Sequence, residues 1–211
     1  MRPRGTIGTL LFSSLEGIAL ALSLWSCSSP RSDIPAVAFW NELRTLCGRS
    51  FFGTPMQVSP LDSAVVGQTL ILNVWQCWNE EVRMAFHVGN DHSRVWVLGW
   101  DQERLTIRHS VHTADGQPAD FTNYGGQATE DGTAFRQTFV PDQETLVRFQ
   151  TARASSWTLE LMPNERLTYA FDPGVAAQRF RIDFDLRSPA PRPPSPWGWT
   201  RSSRPGPAPS R

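Results

Sequence analysis

The four histidines of the chain fall within one short interval, and their spacing limits the chemistry they can do. They are His87, His92, His109 and His112, with Asp91 and Asp115 in the same region. Imidazole and carboxylate groups are common metal ligands and general acids or bases. His109 and His112 are three residues apart on a predicted strand, so their side chains point to opposite faces. We therefore expect a buried, hydrogen-bonded His109 and no metal site.

A second cluster, formed by Asp91, Ser93 and Arg94, raises the question of nucleophilic catalysis. A serine nucleophile needs a base and an oxyanion hole. The sequence has no Gly-x-Ser-x-Gly elbow that would build such a site. An ion pair between Asp91 and Arg94 that closes a loop is the simpler interpretation. We therefore predict no catalytic residue, no cofactor and no enzymatic activity.

Glycine-rich segments follow the histidines, and they could be mistaken for a phosphate-binding loop. Tyr124-Gly125-Gly126 and Asp131-Gly132-Thr133 match neither the P-loop nor the dinucleotide-binding pattern. No helix is predicted after them to direct its N-terminus at an anion. We expect these glycines to permit tight turns in a long loop over residues 113–132, which would cover one end of the domain.

The elements that must position these residues are strands, because apolar and polar residues alternate along most of the chain. In the last strand Phe180, Ile182, Phe184 and Leu186 share one face. A short amphipathic helix over residues 37–47 comes first. The predicted strands cover residues 69–78, 82–88, 94–100, 104–112, 134–140, 145–150, 156–162, 166–171 and 179–186.

The predicted fold is all-β, since short turns connect the strands and parallel pairing would need long crossovers. We expect an antiparallel meander closed as a small water-soluble β-barrel, or a β-sandwich, after one short N-terminal helix. Charged residues on the second face exclude a membrane-spanning barrel. The candidates for an interior ligand site are Trp96, Trp100, His109, Trp157 and Tyr169. These aromatic residues either line a cavity or fill it.

Both ends of the chain differ in composition from the predicted barrel domain of residues 37–187. Residues 1–26 combine a basic start with an apolar run, as in an export signal. Cys27 follows as a lipidation site, and residues 27–36 form a tether; a retained helical anchor is the alternative. We expect a bacterial envelope lipoprotein held on the membrane by its lipid, or otherwise a periplasmic or secreted protein. Residues 188–211, rich in proline and arginine, are predicted to be disordered.

The remaining cysteines, Cys47 and Cys77, form an even pair in a chain predicted to be exported. An oxidising compartment favours a disulfide between them, which would tie the N-terminal helix to an early strand. Two buried free thiols are the alternative. Neither cysteine has a second metal ligand at the spacing of a zinc finger.

The residues that carry a family resemblance lie between positions 87 and 126: His87-Val88-Gly89, Asp91, Ser93-Arg94, Trp96, Arg108-His109, Asp115-Gly116 and Tyr124-Gly125-Gly126. This pattern resembles a group of exported bacterial proteins with no assigned activity, over about residues 38–172. The plan of a helix followed by a meander is also similar to lipocalin-type barrels. The first resemblance implies no catalytic residue, and the second implies only a shape.

Three functions are compatible with these observations. The leading hypothesis is a barrel that binds a small apolar or amphipathic molecule. The second is an envelope module with a filled barrel, whose partner would contact Asp91, Arg94 and Tyr124. The third is a hydrolase or metal-dependent enzyme that uses His87, Asp91, His92 or His109. Basic and acidic residues are balanced at 20 each, so charge gives no reason to expect a nucleic-acid partner. The oligomeric state is left open.

Overall fold

In the computed structural model, which describes residues 34–100 and 104–200, ten antiparallel strands form one closed barrel. In chain order they are β1 (Ser50–Gln57), β2 (Leu70–Cys77), β3 (Glu81–Val88), β4 (Asp91–Trp100), β5 (Leu105–Val111), β6 (Tyr124–Ala128), β7 (Arg136–Pro141), β8 (Ser156–Met162), β9 (Arg166–Asp172) and β10 (Phe180–Pro189). Each strand pairs with its predecessor, and β10 pairs with β1. The all-β prediction is confirmed, and closure selects the barrel over the sandwich.

The helical elements among residues 34–100 and 104–200 are few and short. They are helix α1 (Pro35–Arg44), helix α2 (Gln143–Arg148) and three 3₁₀ segments, Pro60–Val65, Gln150–Ala154 and Ala176–Gln178. The predicted short N-terminal helix is confirmed as α1. Within the described part of the chain, no helix combines the length and the apolar character needed to cross a bilayer.

Strand β1 closes the barrel, although its sequence did not predict a strand. It pairs with β2 on one side, as in Phe51 opposite Leu72, and with β10 on the other, as in Thr54 opposite Asp183. Its residues contain a glycine and a proline and do not alternate in burial, so the period-two signal is absent. Gly53 lies against the Phe184 ring, and a Cβ there would approach that ring within 2.8 Å. The close approach explains the glycine.

The strand predicted over residues 145–150 is wrong, because residues 145–148 belong to helix α2. The Asp142 side chain caps the helix by accepting a hydrogen bond from the Thr145 backbone N–H at 2.9 Å. Such an N-cap satisfies a donor that the first turn of a helix leaves free. Pro141-Asp142 is therefore a helix start and not a turn between two strands.

The long loop predicted over residues 113–132 contains strand β6. Its glycines are needed for close approach, since a Cβ on Gly125 would overlap the Ile107 carbonyl and one on Gly126 would overlap the Val140 carbonyl. Both glycines pair with neighbouring strands. The connecting loop is consequently limited to residues 112–123.

The core follows the predicted alternation. The β5 residues Leu105, Ile107 and His109 are buried, and so are the predicted inward residues of β10: Phe180, Ile182, Phe184 and Leu186. Apart from His109, these residues and the inner residues of the other strands form one apolar cluster inside the barrel. Burial of this surface is the main favourable contribution to folding.

One end of the barrel, which we call the closed end, is sealed by α1. Its Phe39, Trp40 and Leu43 are buried. The Trp40 ring stacks on Trp100 with a centroid distance of 6.4 Å. The predicted disulfide between Cys47 and Cys77 is present and joins the segment after α1 to the end of β2. At the opposite end, the open end, the 3₁₀ segment Pro60–Val65 lies against a cavity.

The structure describes part of the C-terminal segment, whereas the N-terminal description starts at Ile34. The predicted signal and the Cys27 lipidation site lie outside the described residues. Disorder was predicted from Ser188 onward, but β10 continues to Pro189 and Trp199 packs on the outside of the barrel. The Trp199 ring meets Trp75 edge-on at 6.3 Å. Residues 201–211 lie outside the described part.

Candidate functional site: an aromatic cavity at the open end

A cavity of about 250 Å³ lies inside the open end of the barrel. Its lining is mainly aromatic and comes from several strands and the 3₁₀ segment at the mouth. The lining residues are Asp62, Ala64, Val65, Phe86, Arg94, Trp96, His109, Ser110, Val111, Tyr124, Trp157, Tyr169, Phe171 and Phe180. An apolar pocket with a few polar groups at defined positions is the usual form of a small-molecule site.

Four of the five residues proposed from the sequence meet at this cavity: Trp96, His109, Trp157 and Tyr169. The fifth, Trp100, lies at the closed end on Trp40. Trp96 and Trp100 share the inner face of β4, but four residues of strand separate them by about 13 Å. Alternation predicted the direction of Trp100 correctly but could not give its depth in the barrel.

The aromatic side chains of the cavity are stacked on one another. Trp96 and Tyr169 lie face to face, with centroids 4.0 Å apart and planes 12° apart. Tyr124 stacks on His109 at 4.8 Å, and Trp157 lies 5.1 Å from the His109 ring. Stacked rings stabilise one another, so these side chains form a connected aromatic wall around the cavity.

His109 is the polar centre of this aromatic group, and both of its ring nitrogens have partners. Nδ1 lies 3.3 Å from the Tyr124 carbonyl oxygen, and Nε2 lies 2.9 Å from the Tyr169 hydroxyl. A carbonyl only accepts, so Nδ1 carries the proton and Nε2 accepts from Tyr169. Burial, together with the nearby Arg108 charge, lowers the pKa of His109 to about 3. The structure contains the buried, hydrogen-bonded His109 expected from the sequence.

The charged groups of the cavity lie at its mouth. The Arg94 guanidinium donates to the Asp91 carboxylate at 2.5 Å, and the second Asp91 oxygen accepts from the Ser93 backbone N–H at 2.9 Å. This is the loop-closing ion pair predicted from the sequence. Asp62, on the 3₁₀ segment, also faces the cavity. Burial raises the pKa of Asp62, and the Arg94 charge offsets part of the increase.

The other three histidines lie on the outer face of the barrel. His87 and His92 approach each other with 2.8 Å between their Nδ1 atoms, and burial and the neighbouring His92 lower the pKa of His87 to about 4. His112 contacts Trp199 edge-on at 5.7 Å. The barrel wall thus separates these three from His109. Residues 34–100 and 104–200 contain no group of three or more potential metal ligands.

A second hollow of about 490 Å³ adjoins the cavity on the outside of the open end. Tyr124, Trp157 and Phe171 line both spaces. The groove continues along residues after α2, among them Phe149 and Ala152. Sequence reasoning missed this groove, because it assigned residues 145–150 to a strand.

Several lining residues could have been found from the sequence. Phe171 is two residues from Tyr169 on the same strand, so alternation places both on the inner face. Phe180 was predicted to point inward. Asp62 carries no such signal, since it lies in a segment without a repeating pattern.

No family model, curated protein or solved structure matches this chain. The class of protein is therefore defined by its architecture: a closed ten-stranded antiparallel barrel with an aromatic cavity at one end. The resemblance to exported bacterial proteins and to lipocalin-type barrels stays a prediction.

Proposed function

We propose that this protein binds a small apolar or amphipathic molecule in the cavity at the open end and does not catalyse a reaction. The observation that carries the proposal is the aromatic cavity of about 250 Å³, built by residues from separate strands. Its one buried imidazole, His109, is neutral and has a partner at each nitrogen. Such a group positions neighbouring rings and is a poor proton acceptor.

The size of the cavity restricts the ligand. Pockets for drug-sized molecules usually measure about 300–1,000 Å³. The interior cavity is slightly smaller, so it suits one compact group, such as a single ring, with the rest of the molecule outside it. The adjoining groove of about 490 Å³ offers space for an attached chain. A bound molecule would thus have its compact part inside the barrel and any extension along the groove.

Location in the bacterial envelope is part of the same proposal. The export signal and Cys27 motif motivate it, and the disulfide between Cys47 and Cys77 suits an oxidising compartment. Cys27→Ser should release the protein from the membrane fraction without changing its fold, whereas Cys47→Ser should leave it membrane-bound. Equal membrane retention of wild type and Cys27→Ser would contradict lipid anchoring.

A cavity-filling variant tests ligand binding. Val111 lines the cavity and is buried, so Val111→Phe should reduce binding of the neutral fluorescent probe N-phenyl-1-naphthylamine by about tenfold or more. Val147→Phe is the matched control, because Val147 is 67% exposed and lines neither hollow. Thermal unfolding would show that both variants fold. Native mass spectrometry of the protein purified from its host would detect a natural ligand.

Two results would overturn this function. The first is equal probe binding by wild type and Val111→Phe. The second is an empty protein in native mass spectrometry together with no probe binding by wild type.

The second candidate is an envelope module that binds another protein through the open end. Phe121, Val147 and Val175 support it, because each is an apolar side chain more than half exposed. Asp91 and Arg94 remain suitable surface contacts, whereas the Tyr124 ring is engaged with His109. Photo-crosslinking from position 147 in cells tests this candidate. Crosslinks to one defined partner that persist in Val111→Phe would favour it over ligand binding.

A further inference from the structure

The cavity contains one carboxylate, that of Asp62, among its aromatic rings. A ligand that only packs against the rings would not account for it. Asp62 lies on the 3₁₀ segment at the mouth and is half-buried. Among residues 34–100 and 104–200, no side chain or backbone group donates a hydrogen bond to this carboxylate. Partial burial without a protein donor makes the charged carboxylate less favourable than it is in open water, which agrees with its raised pKa. Its position against the cavity indicates that a ligand can supply the missing donor.

The other charges at the mouth compensate this negative charge only in part. Arg94 is the cation in the cavity lining, and it is held by Asp91 at 2.5 Å. Two carboxylates and one guanidinium therefore leave a net negative charge. The remaining titratable groups of the lining, His109, Tyr124 and Tyr169, are uncharged at neutral pH, because burial lowers the pKa of the histidine and raises the pKa of each tyrosine.

The aromatic rings around the cavity also favour a cation. The face of a Trp, Tyr or Phe ring attracts a positive group within about 6 Å of its centroid. Trp96, Tyr124, Trp157, Tyr169, Phe171 and Phe180 all border the same space as Asp62. An anionic ligand would have to compete with Asp91 for Arg94 while lying close to Asp62. The arrangement disfavours such a ligand.

We propose that the ligand carries a protonated amine, which binds at the Asp62 carboxylate while its apolar part lies among the aromatic rings of the cavity. This inference rests on the proposed function and adds the chemical class of the ligand. The ammonium group donates to Asp62 and contacts the neighbouring ring faces. The compact apolar part occupies the interior.

Three probes of similar size and different charge test the inference in calorimetric titrations of the full chain. They are 2-phenylethylamine, 2-phenylethanol and 3-phenylpropanoate, and wild type should bind the amine about tenfold more tightly than the alcohol and the carboxylate most weakly. Asp62→Asn should reduce amine affinity to that of the alcohol. Asp120→Asn, an exposed carboxylate on the loop at the same end, should keep the preference for the amine.

The failure of this inference is distinguishable from failure of the proposed function. Equal binding of amine and alcohol by wild type, or an amine preference that survives in Asp62→Asn, would reject the amine and leave ligand binding intact. The amine is likewise rejected if N-phenyl-1-naphthylamine binds and none of the three phenyl compounds does. If neither that probe nor the three phenyl compounds bind, both proposals fall.

Discussion

The two ends of this barrel are built from the same ten strands, yet a helix fills the interior at one end and a cavity occupies it at the other. At the closed end, α1 inserts Phe39 and Leu43, and both are fully buried. At the open end, the 3₁₀ segment Pro60–Val65 provides only part of the cavity lining, with aromatic side chains supplying most of the rest. The alternation of the strands therefore determines which residues point inward. The covering element determines whether the space between them is filled.

Strand β4 shows this difference within one element. Trp96 and Trp100 point to the same side, but Trp100 is covered by Trp40 of α1, whereas Trp96 borders the cavity. Trp96 is stabilised by its neighbours in the wall, Tyr169 at 4.0 Å and Phe86 at 5.2 Å. The same residue type thus covers the core at one end and forms part of a cavity wall at the other.

Truncating one phenylalanine at each end gives the largest expected contrast. Phe39→Ala should reduce the free energy of unfolding by about 3–5 kcal/mol, because the packed closed end cannot fill the space left behind. Phe180→Ala should cost about 1–2 kcal/mol less, since its ring already borders a cavity. Urea titrations of both variants measure this. Equal losses would show that the two ends are packed alike.

Removing the disulfide should affect stability and leave the cavity unchanged. Cys47 and Cys77 are 30 residues apart, and such a cross-link contributes about 3–4 kcal/mol by restricting the unfolded chain. The double variant Cys47→Ala, Cys77→Ala should therefore lose roughly this amount and still bind N-phenyl-1-naphthylamine like wild type. Loss of probe binding in a folded double variant would mean that the two ends are coupled.

Acid should destabilise the fold through its buried histidines. The folded-state pKa of His109 is about 3 and that of His87 about 4, both below the ordinary 6.5. The unfolded chain then binds protons first, so stability is full above about pH 6.5 and falls as the pH decreases toward those values. For His109 alone the loss between pH 6.5 and pH 5 is about 2 kcal/mol.

Urea titrations at several pH values measure this effect, with His109→Gln as the control variant. The pH dependence should be shallower in His109→Gln than in wild type, whatever its absolute stability. Identical slopes would contradict a neutral buried His109.

The smallest effect is expected on the outer face, away from both ends. Trp199→Ala removes an edge-on contact with Trp75 and the Arg83 guanidinium 4.3 Å above its ring. We expect a loss of about 1–2 kcal/mol in the free energy of unfolding and no change in probe binding. A change in probe affinity would show that the C-terminal segment reaches the cavity.

The sequence predicted the class of fold wherever a strand has one buried and one exposed face. The β10 stripe from Phe180 to Leu186 is an example, since four apolar residues alternate with charged ones. The strand prediction failed where another factor outweighed the alternation of apolar and polar residues. In β1 a glycine and a proline interrupt the pattern, and in α2 the Asp142 cap selects a helix despite β-branched residues.

The candidate site was predictable in part. Trp96, His109, Trp157 and Tyr169 follow from inward alternation combined with residue type. The depth of each residue along the barrel axis cannot be predicted in this way, because it depends on strand register and on which element covers each end. The position of Asp62 in the site depends on the covering element as well, since only the folded 3₁₀ segment brings this residue to the aromatic rings.

The direction in which the chain enters the barrel has a consequence for how the protein would sit on a bilayer. Pro35 begins α1 at the sealed side, and the aromatic hollow opens at the opposite pole. A lipid on Cys27, as proposed, would therefore tether the molecule by its plugged base. The mouth would then face away from the membrane surface, accessible to molecules arriving from the surrounding aqueous space.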